Sequence, residues 1–285
     1  MTGWPGGAGG TLSLSFDNLG EAGEIELGAV APGAAREEHF TVTRVLPELL
    51  AQLTARSLRA TFFVEGLNTE LHPTALMSIV DQGHELGYHA WRHEQWGDLP
   101  AAAQAENLGR GLTGFRELGI EVRGLRPPGG GLGPGGLDVL RDAGLGYCSP
   151  AGEGASAEGG IALLPFQWRH VDASCVLPPL APVREQIAGS PDPLGPGAFL
   201  AHLEAEVWRL SREGGFIAIV LHLSMLDWLG SDRLGGLLDR LSQATGDGGL
   251  WVAPCAEVAE HVLAHPDAFR NATTLDPTSW TTAPD

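Results

Sequence analysis

Cysteine is scarce here and badly placed for pairing. Cys148, Cys175 and Cys255 are the only three in 285 residues, an odd and widely spaced set without CxxC. That excludes a disulfide framework and a thiolate zinc site. Basic charge is also short: 17 Lys and Arg stand against 35 Asp and Glu, a formal net charge of −18. A chain so acidic is a poor partner for nucleic acid or anionic membrane surfaces, which need basic patches, and an acidic polysaccharide would be an awkward substrate. Long apolar runs are missing. Phe216–Leu221 is far short of the roughly 20 residues that span a bilayer. Met1–Gly10 has neither a basic start nor an apolar core, so no signal peptide is expected. These absences predict a soluble protein of a reducing, cytoplasmic compartment, acting on a small-molecule or short-saccharide substrate. They say nothing of oligomeric state.

What is present is a repeated alternation of strand and helix signals. Leu12-Ser13-Leu14-Ser15-Phe16 alternates apolar and small polar residues, the pattern of a half-buried strand, and ends in Asp17-Asn18. Residues 20–38 read as a long loop. A helix is expected from about Thr43, then a buried strand at Thr61-Phe62-Phe63-Val64, a helix opened by Pro73 and ended near Gly83, and a short strand at Glu85-Leu86-Gly87-Tyr88. Leu108, Leu112 and Phe115 mark another helix, Val122–Arg126 a strand, Leu137 and Leu140 a short helix, and Tyr147-Cys148 a strand.

In the second half, Ile161–Trp168 reads as a strand, and 178–198 as a Pro/Gly-rich loop of the kind that is usually functional. Phe199, Leu203, Val207 and Leu210 form a helical stripe; Phe216–Leu221 is a buried strand delivering His222. Leu234 to Leu241, Leu250–Val252 and Ala256–Ala264 add a helix, a strand and a last helix. About seven strands alternating with helices, with no composition break, indicate one parallel barrel-like α/β domain over 11–265. It would be flanked by a flexible N-terminus (1–10) and a polar C-terminal tail (266–285) that frays.

Candidate chemistry collects at the strand ends. His89 and His93 are four apart, so they share a face if the backbone between them is helical, and neutral imidazoles so placed can hold a divalent metal. A solvated helix face bearing two unrelated histidines is the plainer alternative. Asp17, Arg126, Asp172 and His222 also fall at or just after predicted strand ends. Alone, each has an ordinary explanation: a turn or cap, a surface charge, a satisfied core histidine. In a parallel barrel, however, those ends meet on the one face where active sites lie. The set would suit metal-assisted hydrolysis, with a carboxylate activating water and a histidine protonating the leaving group. Gly131-Leu132-Gly133-Pro134-Gly135-Gly136 fits GxGxxG, but the acidic residue that dinucleotide sites carry about 20 positions on, at a strand end, is missing. No GxSxG occurs, so a serine-hydrolase elbow has no support.

Read in order, Ser15-Phe16-Asp17-Asn18, His89-Ala90-Trp91-Arg92-His93, Arg126-Pro127-Pro128-Gly129-Gly130 and Val220-Leu221-His222 resemble the signature motifs of polysaccharide deacetylases, the NodB-homology or family 4 carbohydrate esterases. Thr61–Val64 fits that family's second strand, and the resemblance spans roughly 11–265. It implies a single distorted (β/α)7 barrel that removes acetyl groups from sugars with a divalent cation, zinc above all. Carried over, Asp17 would be the general base, His222 the general acid, Arg126 the group orienting Asp17, and Asp172 the partner of His222. His89 and His93 would bind the metal, with Asn18 as third ligand where the family usually has Asp. An amide oxygen is a neutral, weaker donor. Ala90 also replaces a usual Ser or Thr. Pro128, Gly129, Tyr147 and Trp168 are expected to contact substrate, with backbone N–H groups near Tyr147 or Gly129 holding the oxyanion. Hydrolysis of an N-acyl C–N bond in a small intracellular acetylated sugar or related metabolite is the expected activity. A metal-independent hydrolase of cyclic amides and a non-catalytic sugar-binding barrel are the alternatives.

Overall fold

The structure, a computed structural model, describes residues 3–31, 38–270 and 273–276. Parts of the expected flexible N-terminus, of the 20–38 loop and of the C-terminal tail lie outside the described residues.

Eight parallel strands form the framework: β1 (Gly10–Asp17), β2 (Thr61–Val64), β3 (Glu85–Tyr88), β4 (Gly124–Leu125), β5 (Tyr147–Cys148), β6 (Ile161–Leu163), β7 (Gly215–His222) and β8 (Leu250–Val252). β1 is the centre. Along one side β7 pairs with its whole length, Gly10 opposite Gly215 through Asp17 opposite His222. Along the other side β8 takes its first half and β2 its second. From β2 the sheet continues through β3, β4, β5 and β6. Past β6 the chain returns to β7, where Val171 bridges Val220 in parallel. The curled sheet is that of the NodB-type barrel, as expected.

β1 is buried at all eight positions, not half-buried as its alternation suggests. Its leucines and Phe16 join the main apolar core, while Ser15 faces the polar barrel interior, its hydroxyl donating to the Ile219 carbonyl at 2.9 Å. A barrel strand has two buried faces, and the alternation records helix side against interior, not core against solvent.

Most helices stand where their apolar spacing puts them, including Pro73–Asp81, Ala101–Glu117, Pro196–Glu213, Ser231–Gly246 and Cys255–Ala264. Four expectations fail. The 178–198 stretch carries a helix, Ala181–Ala188, whose buried Arg184 donates to the carbonyls of Ser174, Leu177 and Pro191; its apolar stripe is too weak to read. The 20–38 loop contains a short helix, Ala22–Glu26. The N-terminus folds back: Trp4 is buried against Phe269 and Trp251, ring centroids 4.7 and 6.3 Å away. The tail does likewise, Thr274–Leu275 pairing antiparallel with Gly152–Glu153. A single Trp in a Gly-rich segment leaves no periodic signal, yet its large apolar surface is enough to hold the segment down.

The GxGxxG stretch serves packing. A Cβ on Gly133, which sits at φ +69, would lie 2.8 Å from the Gly97 carbonyl oxygen. The glycines let two loops touch.

Candidate active site

The C-terminal ends of β1, β2, β3, β4 and β7 surround a cavity of about 380 Å³ lined by Asp17, Asn18, His89, His93, Arg126 and His222 among others. Register explains the gathering. Asp17 is the last residue of β1, paired across to His222 at the end of β7 and to Phe63 near the end of β2. His89 follows β3 directly, its N–H bonded to the Val64 carbonyl at 3.0 Å. Arg126 follows β4, its N–H bonded to the Tyr88 carbonyl at 2.9 Å.

Arg126 is the organiser. Its guanidinium is buried, and Nη1 donates to Asp17 Oδ1 and to Ser15 Oγ, both at 2.7 Å. Nε and Nη2 donate to Ser149 Oγ at 3.2 and 3.0 Å, and the Phe63 ring lies 4.1 Å from its centre. A buried guanidinium so fully bonded can neither rotate nor leave, so Asp17 is held with one oxygen occupied and the other turned to the cavity side. That second oxygen, Oδ2, lies 4.0 Å from His89 Nε2. Arg126 also acts through its backbone. His89 Nδ1 bonds to the Arg126 carbonyl at 2.7 Å, which places the proton on Nδ1 and leaves the Nε2 lone pair free.

The expectation that His89 and His93 share a helix face is wrong. The backbone between them turns: Ala90 and His93 sit in left-handed conformation at φ +62 and +76, and residues 89–93 are not helical. The imidazoles still meet, with ring centroids 4.9 Å apart and planes at 71°. The turn is pinned by Gly66 and Leu67, whose N–H groups donate to the carbonyls of Ala90 and Trp91 at 2.8 and 2.9 Å. Asn18, at φ +61, is a third left-handed residue; it and His93 line the cavity, and Ala90 follows His89 directly. Three such residues around one site mark strain held by their surroundings, which is common where function requires it.

Burial pushes both His89 and His93 down to about 3, and the neighbouring positive groups push the same way. Both are therefore neutral at pH 7, the form that binds metal. Asn18 Oδ1 is buried without a hydrogen-bond partner. Two neutral imidazoles and one orphaned amide oxygen on one cavity wall fit a borderline divalent ion such as zinc. They would hold it with less negative charge than a carboxylate would supply. Among the described residues no group of three or more His, Cys, Asp and Glu is arranged to bind an ion.

Opposite them, His222 Nδ1 bonds to Asp172 Oδ1 at 2.6 Å, and the His222 backbone N–H donates to Asp172 Oδ2 at 2.7 Å. Burial alone would lower the His222 pKa. The charge and hydrogen bond of Asp172, with the Asp17 charge behind them, outweigh it and raise the value above the ordinary histidine range. Nε2 is thereby left to carry a proton into the cavity.

The other expected residues divide. Gly129 and Trp168 line the cavity, as does Pro127; Pro128 does not. Tyr147 is out of place altogether. It is fully buried, its hydroxyl donates to Glu85 Oε1 at 2.6 Å, and its N–H is taken by the Arg123 carbonyl at 3.3 Å. Tyr147 lies in β5, whose side chains alternate between faces, and a two-residue strand gives no pattern from which to tell them apart. Sequence reasoning missed Ser149 and Phe63, which hold Arg126, and Glu65, a fully buried carboxyl just past β2. Glu65 Oε2 accepts from the N–H of Leu19, next to Asn18, at 3.3 Å and from Asn68 Nδ2 at 3.1 Å. Burial raises its pKa to about 8. An acidic residue directly behind an apolar strand was its available signal.

A curled parallel sheet with a carboxylate–guanidinium pair, two neutral imidazoles and a carboxylate-backed histidine at its C-terminal edge defines a hydrolase-type α/β barrel. Residues 11–148 match the family model of polysaccharide deacetylase, and that part of the chain is similar to this family. Solved structures agree on the fold. A protein from Mycobacterium smegmatis described as a polysaccharide deacetylase is 23% identical, with TM-score 0.75 over 99% of this chain and 96% of its own. Puue allantoinase is 18% identical, with TM-score 0.71 over 93% and 95%. A protein from Pseudomonas aeruginosa PAO1, also described as a polysaccharide deacetylase, is 19% identical, with TM-score 0.70 over 93% and 95%.

Proposed function

We propose that the protein hydrolyses an N-acyl, non-peptide C–N bond in a small molecule, an N-acetylated sugar or related acylated metabolite. The observation that carries this reading is the pairing, across one cavity, of a base and an acid with separate supports: Asp17 on Arg126, and His222 on Asp172. A site that only binds sugar requires neither.

In this reading Asp17 Oδ2 takes a proton from water as the water oxygen bonds to the acyl carbon. His222 Nε2 gives its proton to the nitrogen as the C–N bond breaks. Arg126 fixes the base and, through its carbonyl, the tautomer of His89. His89, His93 and Asn18 would hold a divalent ion, which when bound polarises the acyl oxygen and makes water more acidic. Gly129, on the cavity wall, is the remaining candidate from which a backbone N–H could reach the developing oxyanion.

A second reading has one observation behind it. Asn18 supplies no charge where the family usually has Asp, which favours hydrolysis of a cyclic amide without a metal. One experiment separates them: turnover of acetylated amines and of cyclic amides, with metal added and with chelator. Acetyl release restored by zinc supports the first reading. Ring opening unaffected by chelation supports the second, and no turnover of either sinks both. Helices long and apolar enough to cross a membrane are absent among the described residues; we place the protein in the cytoplasm on the expectation from composition.

A further inference from the structure

The residues that would hold a divalent ion stand on two separate stretches of chain. Asn18 lies on the loop after β1, and His89 and His93 on the turn after β3. One short segment, residues 65–68 just past β2, touches both. Its backbone holds the histidine turn: the N–H groups of Gly66 and Leu67 donate to the carbonyls of Ala90 and Trp91 at 2.8 and 2.9 Å. The approach is close, since a Cβ on Gly66 would lie 2.8 Å from Trp91 Cε3. Its side chains hold the Asn18 loop. Glu65 Oε2 accepts from the Leu19 N–H at 3.3 Å, and Asn68 Nδ2 donates to the Leu19 carbonyl at 2.9 Å. Asn68 Nδ2 also donates to Glu65 Oε2 at 3.1 Å, which locks the two side chains together. Both are fully buried.

Leu19 is thus gripped at its N–H and at its carbonyl, directly beside Asn18. The grip matters because nothing holds the Asn18 amide oxygen itself: Oδ1 is buried without a hydrogen-bond partner. Its place is set by the backbone. That backbone is left-handed, at φ +61, a conformation that a residue other than glycine keeps when its surroundings enforce it. Anchors on either side are independent of Glu65 and Asn68. The Asn18 N–H donates to the Phe63 carbonyl at 3.2 Å, the Gly20 N–H to Thr41 Oγ1 at 2.9 Å, and Glu21 Oε2 meets His72 Nε2 at 2.6 Å. The loop therefore stays attached when the grip on Leu19 is removed.

Resting on the metal-dependent reading above, we infer that Glu65 and Asn68 are positioning residues for the ion site. They set where the Asn18 amide oxygen stands relative to His89 and His93, and residues 65–68 brace the two ligand-bearing stretches against each other. Groups that orient a metal ligand are worth roughly 10- to 100-fold in affinity. Glu65 and Asn68 act one step farther out, through the backbone, so about tenfold is expected.

The test is zinc binding by calorimetry on the full-length protein, with NMR of the metal-free protein following the Asn18 side-chain amide and the His89 and His93 rings. Glu65→Gln keeps an acceptor oxygen for Leu19 and Asn68 and should bind zinc as the wild type does. Glu65→Met strands the Leu19 N–H, and Asn68→Leu strands its carbonyl; each should weaken zinc binding about tenfold. Two variants at different residues guard against a failure to fold. Added to Asn18→Ala, Glu65→Met should cost no further affinity, because no ligand is left for it to place. Without metal, both apolar variants should shift the Asn18 amide signals and leave the two imidazoles unmoved.

Equal weakening by Glu65→Gln and Glu65→Met would mean that charge acts and not position, which overturns the inference. A loss that persists in Asn18→Ala, or imidazole signals that move with the Asn18 amide, marks general loosening and overturns it too. In each case zinc binding by the wild type leaves the metal-dependent reading standing. A wild type that binds no zinc, with the Asn18 amide still shifting alone in the variants, sinks that reading and keeps the positioning role. No zinc binding and no shift ends both.

Discussion

Asp172→Asn isolates the contribution of the buried carboxylate to the acid. In the wild type both Asp172 oxygens accept from His222, one from Nδ1 at 2.6 Å and one from the backbone N–H at 2.7 Å. An amide has only one acceptor oxygen. If it keeps the backbone N–H, its own N–H₂ faces Nδ1 and forces the neutral tautomer with the proton on Nε2. The charge that outweighs burial is also gone, so the His222 pKa must fall. Sign follows from the raised value of the wild type. Its contribution to stability is complete below the unfolded histidine pKa of about 6.5 and is lost as pH rises through the folded value.

The variant should therefore be less stable by about 1–3 kcal/mol below pH 6, the range for a hydrogen bond to a charged group, with the gap closing at higher pH. Turnover should fall by about 10²- to 10⁴-fold, the scale for a general acid whose orienting carboxylate is replaced by amide. The alkaline limb of the rate profile should move to lower pH. NMR titration of the His222 ring reads the pKa without any substrate. A His222 pKa that does not fall in the variant would refute the reasoning, whatever the activity.

Asp17→Asn and His222→Ala should each lower turnover by at least ~100-fold with the fold kept; circular dichroism and single-turnover kinetics check both. Arg126→Ala strands Asp17 as a buried unpaired charge and should cost about 3–5 kcal/mol in denaturant unfolding at neutral pH. Asn18→Asp should tighten zinc binding in calorimetry, since a carboxylate replaces a neutral donor. Glu65 has its folded pKa raised to about 8 by burial, so wild-type stability should decline as pH rises from about 4.5 to 8. Glu65→Gln removes that slope, up to about 1.4 kcal/mol per pH unit; parallel slopes in the two proteins would show that Glu65 is not protonated in the fold.

The sequence by itself determined the order of elements and pointed to most of the groups that line the cavity. Buried strands announce themselves as apolar runs, and Asp17, His89, Arg126 and His222 stand at or just after the ends of such runs, because a parallel barrel delivers side chains to one face only from there. Short-range patterns stop at short range. Tyr147 could not be told from a cavity residue, since the face of a two-residue strand is set by pairing with β4 and β6 and not by its own periodicity. The spacing of His89 and His93 suggested a helix; the tertiary structure brought the rings together through a left-handed turn, because the loop after β2 supplies N–H donors to the carbonyls of Ala90 and Trp91. Trp4, Ser149 and Glu65 each act on partners far along the chain or across a strand. Only folding brings such partners within reach, so only the tertiary structure decided what these residues do.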